Sequence, residues 1–145
     1  MAKDPHFTSL ENMYLSAPIN QWYKPSINIT EAEAEISIEL EEKYFHAAGA
    51  AHGSVYFKLL DDAAFFAANS LEHEQFVLTT AFTTYITKPV SSGKMTAIGK
   101  VVNKNKSQFV VEAVAYNDDG QEIARGNGLF VRGKFKLKNA DGYGS

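Results

Sequence analysis

An acidic residue on the apolar side of a predicted helix is the feature of this sequence that could perform chemistry. The segment from Val55 to Ser70 is apolar around nearly its whole circumference, as expected for a buried helix. Asp61 falls among its aromatic and alanine positions, where a carboxylate loses hydration. Because functional sites often hold such groups, Asp61 is a candidate base or nucleophile.

The start of the same helix could bind an anion. Gly53 and Ser54 are expected to present free backbone N–H groups at the positive end of the helix dipole, where they could stabilise developing negative charge. A buried carboxylate two turns downstream would complete a catalytic arrangement. The structural alternative is that Asp61 bonds a backbone group or Lys58. On the polar side of the helix, Lys58 and Asp62 are predicted to form an exposed i,i+4 ion pair.

The histidines and the absence of cysteine narrow the possible chemistry. The chain has 4 His and no Cys, and no HxxxH or HExxH spacing, so we expect neither a metal site nor a disulfide. His52 is expected to fix the turn before the helix. A nucleophilic Ser54–His52 pair is conceivable, but such near neighbours rarely point at each other and no third member is evident. His6 and His73 are expected at the surface.

Composition indicates one globular domain, spanning residues 1–145. The chain is 45% hydrophobic and 21% charged, which is enough apolar material for a core. Its 14 basic and 17 acidic residues give a net charge of −3, which argues against a general nucleic-acid surface. The N-terminal segment has no continuous apolar region, so we expect no membrane span or signal peptide and a cytoplasmic location.

The hydrophobic periodicity predicts the elements around the long helix. A short helix is predicted at about 8–17, and its role is packing. Alternating apolar and acidic residues from Ile27 to Glu41 predict one long strand with a solvated glutamate face. The tail at about 137–145 is predicted to be disordered. Four antiparallel strands are predicted after the long helix, at 76–88, 94–103, 108–116 and 122–132.

This order of elements constrains the architecture. A helix that is apolar all round cannot be covered by one face of a flat sheet, so the sheet must curve around it. The side left open then needs a partner.

The same residues carry a resemblance to a known family. The element order and the run HGSVYFKLLDDAAFFAANS resemble the hotdog fold, specifically the phenylacetate-degradation-type acyl-CoA thioesterases. The matching features are the His52-Gly53 pair, Asp61 nine residues after that histidine, and Tyr85 four residues before Pro89. The resemblance covers about residues 28–131 and implies an α+β hotdog domain, a curved antiparallel sheet wrapped around one long central helix.

The resemblance also implies residue roles. Asp61 stands at the family's catalytic carboxylate, as nucleophile or general base, and Gly53 where a backbone N–H polarises the thioester carbonyl. Thr79 stands where a hydroxyl orients the carboxylate or the water. His46 stands where many members have Asn, and its imidazole titrates near neutral pH, so we expect activity to depend on pH there. Ser54 replaces the second glycine of the usual His-Gly-Gly but keeps its N–H.

An acyl-CoA substrate follows from the resemblance, with coenzyme A as part of the substrate and no other cofactor. The family assembles each site across a dimer interface, so we expect a homodimer that pairs into a homotetramer. The residues expected to contact substrate are His52 and Ser54 at the helix start, Phe57, Phe65 and Tyr85 around the acyl group, and Lys104 and Lys106 as phosphate contacts.

Two other functions remain open from the sequence. A hotdog hydratase or dehydratase would need a catalytic His and an acid near the helix, which His52 and Asp61 could supply, although that family's longer motifs are absent. A non-catalytic acyl- or CoA-binding protein is the other alternative, and the unusual His46 favours it.

Overall fold

The computed structural model describes residues 2–144, so Met1 and Ser145 lie outside the described part. Three α-helices, two 3₁₀ turns and six strands follow one another along the chain. In order they are α1 (Pro5–Ser16), α2 (Asn20–Tyr23), β1 (Ser26–Thr30), β2 (Glu33–Glu39), the 3₁₀ turn Glu42–Tyr44, α3 (Gly53–Asn69), β3 (Gln75–Ile86), β4 (Lys94–Lys104), β5 (Phe109–Tyr116), β6 (Glu122–Lys136) and the 3₁₀ turn Leu137–Asn139.

The six strands form one antiparallel sheet that wraps around α3. Their order across the sheet is β1-β2-β4-β5-β6-β3, so β3 is an edge strand although it lies in the middle of the sequence. Helix α3 contacts all six strands. Its alanines and leucines are fully buried in the core, including Leu59, Leu60, Ala63, Ala64 and Ala67. The predicted α+β architecture, a curved antiparallel sheet around one long helix, is confirmed.

A glycine sets how closely the sheet approaches this helix. A Cβ atom on Gly99 of β4 would lie 2.4 Å from the carbonyl oxygen of Ala63, closer than packed atoms can come. Only glycine therefore lets β4 press against the α3 backbone. This close contact fixes the helix position two residues after Asp61.

The predicted long strand from Ile27 is wrong, because it is a hairpin of β1 and β2. Thr30 pairs with Glu33, and the turn between them places Ala32 at φ 63°, a left-handed conformation that alanine rarely adopts. The sequence does carry a signal of the turn, because the apolar residues change from odd-numbered to even-numbered positions. Ile27 and Ile29 occupy odd positions, whereas the isoleucines of β2 occupy even ones.

Both ends of the described chain pack together at the C-terminal end of α3. Helix α1 begins earlier than predicted, at Pro5, because the Asp4 side chain accepts a hydrogen bond from the His6 N–H at 2.8 Å. Where the sequence predicts a disordered tail at 137–145, Leu137 is 1% exposed and the Tyr143 hydroxyl lies 2.7 Å from His6 Nδ1. Ser145 of that tail lies outside the described residues. His6 is buried, contrary to the surface position expected for it.

Candidate active site

Asp61 lies on the face of α3 that meets the edge strand β3. The Thr79 hydroxyl donates a hydrogen bond to Asp61 Oδ1 at 3.0 Å. Asp61 is half-buried, while Thr79 is exposed on β3. A carboxylate held by one hydroxyl at the rim of the core keeps free lone pairs for a water molecule or a substrate.

Burial raises the pKa of Asp61 to about 6. The Thr79 hydrogen bond works against this rise because it favours the ionised form, the neighbouring Asp62 charge adds to it, and Lys58 opposes it weakly. A carboxylate with this pKa is mostly ionised at neutral pH and is more basic than an ordinary aspartate. These are the properties required of a general base.

The next residue, Asp62, makes contacts that hold two helices together. Lys58 Nζ lies 2.6 Å from Asp62 Oδ2, and the Tyr14 hydroxyl of α1 donates to the same oxygen at 2.7 Å. The side chains of Lys58 and Asp62 are only 11% and 20% exposed, so this is not the exposed ion pair expected from the sequence. The predicted i,i+4 pairing is confirmed, and it fastens α1 to α3. Lys58 thus bonds Asp62, and Asp61 is left with Thr79.

An apolar cleft of about 350 Å³ opens beside Asp61 and Thr79. Helices α1 and α2 form one wall, and α3 with the first half of β3 forms the other. The contribution of α1 was missed, because the sequence indicated only a packing role for that helix. The apolar side chains that line the cleft are Met13, Ala17, Ile19, Phe65, Phe66, Phe76, Val77 and Leu78.

A second cleft, of about 340 Å³, lies at the start of α3 and is lined by His46, Gly53, Tyr56 and Lys88, among others. Within residues 2–144 the Gly53 N–H has no hydrogen-bond acceptor, as expected for a group that could stabilise an anion. His46 Nδ1 accepts a hydrogen bond from the Ala48 N–H at 3.0 Å. A neutral His46 ring therefore carries its proton on Nε2 and can donate there.

His52 and Ser54 interact with each other, contrary to the expectation that they would not. The Ser54 N–H donates to His52 Nδ1 at 3.1 Å, and Ser54 Oγ lies 2.8 Å from the same nitrogen. His52 therefore caps α3, which is the structural role expected for it. The Ser54 N–H is consequently not free, and the anion-binding capacity of the helix start falls to Gly53.

The other residues predicted to contact the substrate do not lie together within one chain. Phe65 lines the cleft of Asp61, but Phe57 and Tyr85 are 42% and 57% exposed and lie outside it. The ammonium of Lys104 lies over the Phe109 ring, 5.9 Å from its centroid, and the Lys106 carbonyl accepts a hydrogen bond from Arg132 at 3.2 Å. Neither lysine lines either cleft.

The two clefts are separated along α3. Gly53 and Asp61 are eight residues apart, which corresponds to about 12 Å of helix. One thioester carbonyl cannot contact the N–H of the first and the carboxylate of the second within one chain. The groups beside Asp61 and those at the helix start therefore lie in two separate clefts.

The described residues 2–144 contain no helix that is long and apolar enough to cross a membrane. The same residues contain no cluster of three or more side chains suited to binding a metal ion.

Comparison with known proteins places this chain in a family. Residues 48–124, more than half of the chain, match the model of the thioesterase superfamily. The E. coli PaaI protein from the phenylacetic acid degradation operon has a similar structure, with a TM-score of 0.81, 20% identity, and coverage of 92% of this chain and 99% of that one. A thioesterase of Haemophilus influenzae matches with a TM-score of 0.75 and 19% identity, over 83% of this chain and 85% of that one.

A relative from Sulfurisphaera tokodaii, whose name assigns it provisionally to the esterases, is 25% identical over 97 residues, covering 67% of this chain and 72% of its own. The hotdog fold predicted from the sequence is confirmed by the structural similarities. The protein is a hydrolase of the thioesterase type, and its chain belongs to the thioesterase superfamily.

Proposed function

We propose that the protein hydrolyses acyl-CoA thioesters, with Asp61 as the base or nucleophile. The observation that carries this proposal is the half-buried Asp61 carboxylate, oriented by Thr79 and opening on an apolar cleft. The raised pKa of Asp61 also supports the proposal. A carboxylate with a pKa of about 6 is ionised at neutral pH, yet it accepts a proton more readily than an ordinary aspartate does.

In the base mechanism, Asp61 removes a proton from a water molecule as the water oxygen attacks the thioester carbonyl. The carbonyl oxygen becomes an oxyanion, and the Gly53 N–H donates a hydrogen bond to it. The C–S bond then breaks as the tetrahedral intermediate collapses. Asp61 returns the proton to the departing sulfur, which leaves a free acid and a thiol.

A complete site requires two copies of the chain, so we propose a homodimer. The Gly53 of one copy would face the Asp61 of the other, since the two groups are too far apart within one chain. The edge strand β3 supports this assembly, because its Leu78, Tyr85 and Ile86 side chains are 48% to 57% exposed. Continuation of the sheet across β3 would cover them. A homotetramer formed from two such dimers remains part of the proposal.

Mixing two inactive variants tests the shared site. Asp61→Asn removes the carboxylate, and Gly53→Pro removes the N–H. Proline suits this position, the first of the helix, because His52 already has the extended conformation, φ −61° and ψ 146°, that precedes proline. After co-refolding, a shared site predicts recovery of about a quarter of wild-type activity, since half of the dimers carry one intact site. Absence of recovery would place both groups in one chain's site.

The substrate is tested with a panel of acyl-CoAs. The cleft volume and its aromatic lining suit an aryl or a medium-length aliphatic acyl group. We expect thiol release from at least one member of the panel. An absorbance change on an enoyl-CoA without thiol release would instead indicate a hydratase. Binding without either signal would indicate a non-catalytic acyl-binding protein.

A further inference from the structure

A third pocket lies at the opposite end of α3 from Gly53, away from both clefts described above. Its volume is about 370 Å³, and its lining residues are His73, Glu74, Lys136, Lys138 and Tyr143. They come from the loop after α3, the end of β6 and the segment that follows it. Neither cleft of the proposed active site shares any of these residues.

The two lysines of this pocket have no partners of opposite charge among the described residues. Within residues 2–144, no carboxylate lies within ion-pairing distance of His73, Lys136 or Lys138. Glu74 is the one acidic side chain in the lining. The other nearby carboxylate, Glu72, pairs with Arg132 at 2.8 Å and accepts the Glu74 and Gln75 N–H groups. A pocket that gathers unpaired cations in a chain of net charge −3 favours an anionic ligand.

The back wall of the pocket is held in place by a buried histidine. His6 is 6% exposed, and its ring stacks on His73 with a centroid separation of 4.2 Å. His6 Nδ1 lies 2.7 Å from the Tyr143 hydroxyl, and Nε2 lies 2.8 Å from the Asn69 carbonyl oxygen, where it donates. Two lining side chains, His73 and Tyr143, are therefore positioned by contacts behind them. Such preorganisation lowers the entropic cost of binding.

We propose that the pocket of His73, Lys136, Lys138 and Tyr143 binds a phosphate group of a small molecule. The Tyr143 hydroxyl donates to His6 Nδ1, so the donors left for a ligand are the two ammonium groups and the His73 imidazole. A phosphate offers several acceptor oxygens to such converging donors, and charge-assisted bonds of this type are strong. The pocket volume suits a compact ligand, whereas an extended polyanion needs a broad basic surface. The phosphate could belong to coenzyme A or to a separate phosphorylated compound, and the chemistry of recognition is the same.

The test is a titration of the full chain with inorganic phosphate at constant ionic strength, followed by the NMR signals of the His73 ring. These signals are identified by their loss in His73→Gln. We expect a saturable shift in the wild type. The Lys136→Gln/Lys138→Gln variant should bind at least about tenfold more weakly, because it loses two charged donors.

The matched control is Lys94→Gln/Lys100→Gln, which removes the same charge from exposed positions on β4 and should bind phosphate as the wild type does. Unchanged signals of α3 residues show that each variant is folded. A wild type without a saturable shift, or a Lys136→Gln/Lys138→Gln variant that binds like the wild type, would overturn the proposal.

Titrations with coenzyme A and with pantetheine distinguish the two sources. If the ligand is coenzyme A, it should shift His73 at lower concentration than inorganic phosphate does, and pantetheine should leave His73 unmoved. If phosphate shifts His73 but coenzyme A does not, the ligand is a separate phosphorylated compound. None of these measurements needs turnover, so their outcome is independent of the proposed thioesterase mechanism.

Discussion

Two adjacent carboxylates on α3 lie in different regions of the molecule. Asp62 faces α1, and one of its oxygens accepts hydrogen bonds from Lys58 of α3 and from the Tyr14 hydroxyl of α1. Asp61 faces the edge strand, where Thr79 is its one hydrogen-bond partner within residues 2–144 and an apolar cleft opens beside it. A step of about 100° around the helix thus separates a carboxylate that fastens two helices from one that is free to react. The partners, and not the residue type, distinguish the two.

The largest expected effect is on turnover when Asp61 is changed to Asn. The amide keeps the shape and an acceptor for Thr79 but removes the charge, so the fold and substrate binding should survive. We expect kcat to fall at least ~100-fold with little change in KM, which steady-state kinetics on the best acyl-CoA will measure. Normal turnover by this variant would show that the site lies elsewhere.

The pH dependence of kcat/KM sharpens the same comparison. The role proposed for Asp61 requires its ionised form, and burial raises its pKa to about 6, so activity should fall as pH drops through about 6. Well below that value it should fall about tenfold per pH unit.

His46→Asn tests the other possible source of this acid limb, which the sequence alone attributes to His46. The variant keeps a donor at that position but does not titrate. We expect the limb to stay near pH 6, because Asp61 supplies it. A limb that disappears in His46→Asn would instead assign it to the imidazole.

Asp62→Asn should have the opposite profile to Asp61→Asn, with a loss of stability and little loss of turnover. The change leaves the poorly exposed Lys58 ammonium without its charged partner and weakens the bond from Tyr14. We expect the free energy of unfolding to fall by about 1–2 kcal/mol in urea denaturation, with kcat within a few-fold of wild type. If Asp62→Asn instead lost much of its turnover at unchanged stability, Asp62 would be the reactive carboxylate and not Asp61.

The sequence predicts the features of this molecule that depend on residues close together in the chain, and it does not predict those that depend on contacts between distant residues. Helix α3 and strands β3 to β6 were predicted because their periodicity is a local property, and Asp61 was singled out because it interrupts the apolar face of that helix. The β1–β2 turn was missed because Ala32 takes a left-handed conformation with no Gly or Asn to signal it.

The surroundings of Asp62 could not be predicted, because they depend on how α1 docks against α3. A short helix with a few apolar residues does not reveal which of its side chains will reach a distant carboxylate. Tyr14 meets Asp62 across 48 positions of sequence, and His6 meets Tyr143 across 137. Such contacts are properties of the tertiary structure, and the buried position of His6 was missed for the same reason.

The smallest expected effect is on the free energy of unfolding. Asp61→Asn should increase it, whereas Asp62→Asn should decrease it. The pKa of Asp61 is raised in the folded protein from 3.8 to about 6, so folding favours the protonated form. As pH rises from about 4 to about 6, the wild type must ionise a half-buried carboxylate and its free energy of unfolding decreases relative to Asp61→Asn, which does not titrate. The difference reaches its full size well above pH 6, where Asp61 is ionised in both the folded and the unfolded protein.

We therefore expect Asp61→Asn to be more stable than wild type by about 1 kcal/mol at pH 8, after allowance for partial exposure, with only a small part of the difference left at pH 4. Urea denaturation at the two pH values measures it, and Asp62→Asn serves as the control of opposite sign. An Asp61→Asn variant less stable than wild type at pH 8 would mean that the Asp61 charge supports the fold. A gain in stability together with a loss of turnover is expected where a protein retains a poorly solvated charge for its chemistry.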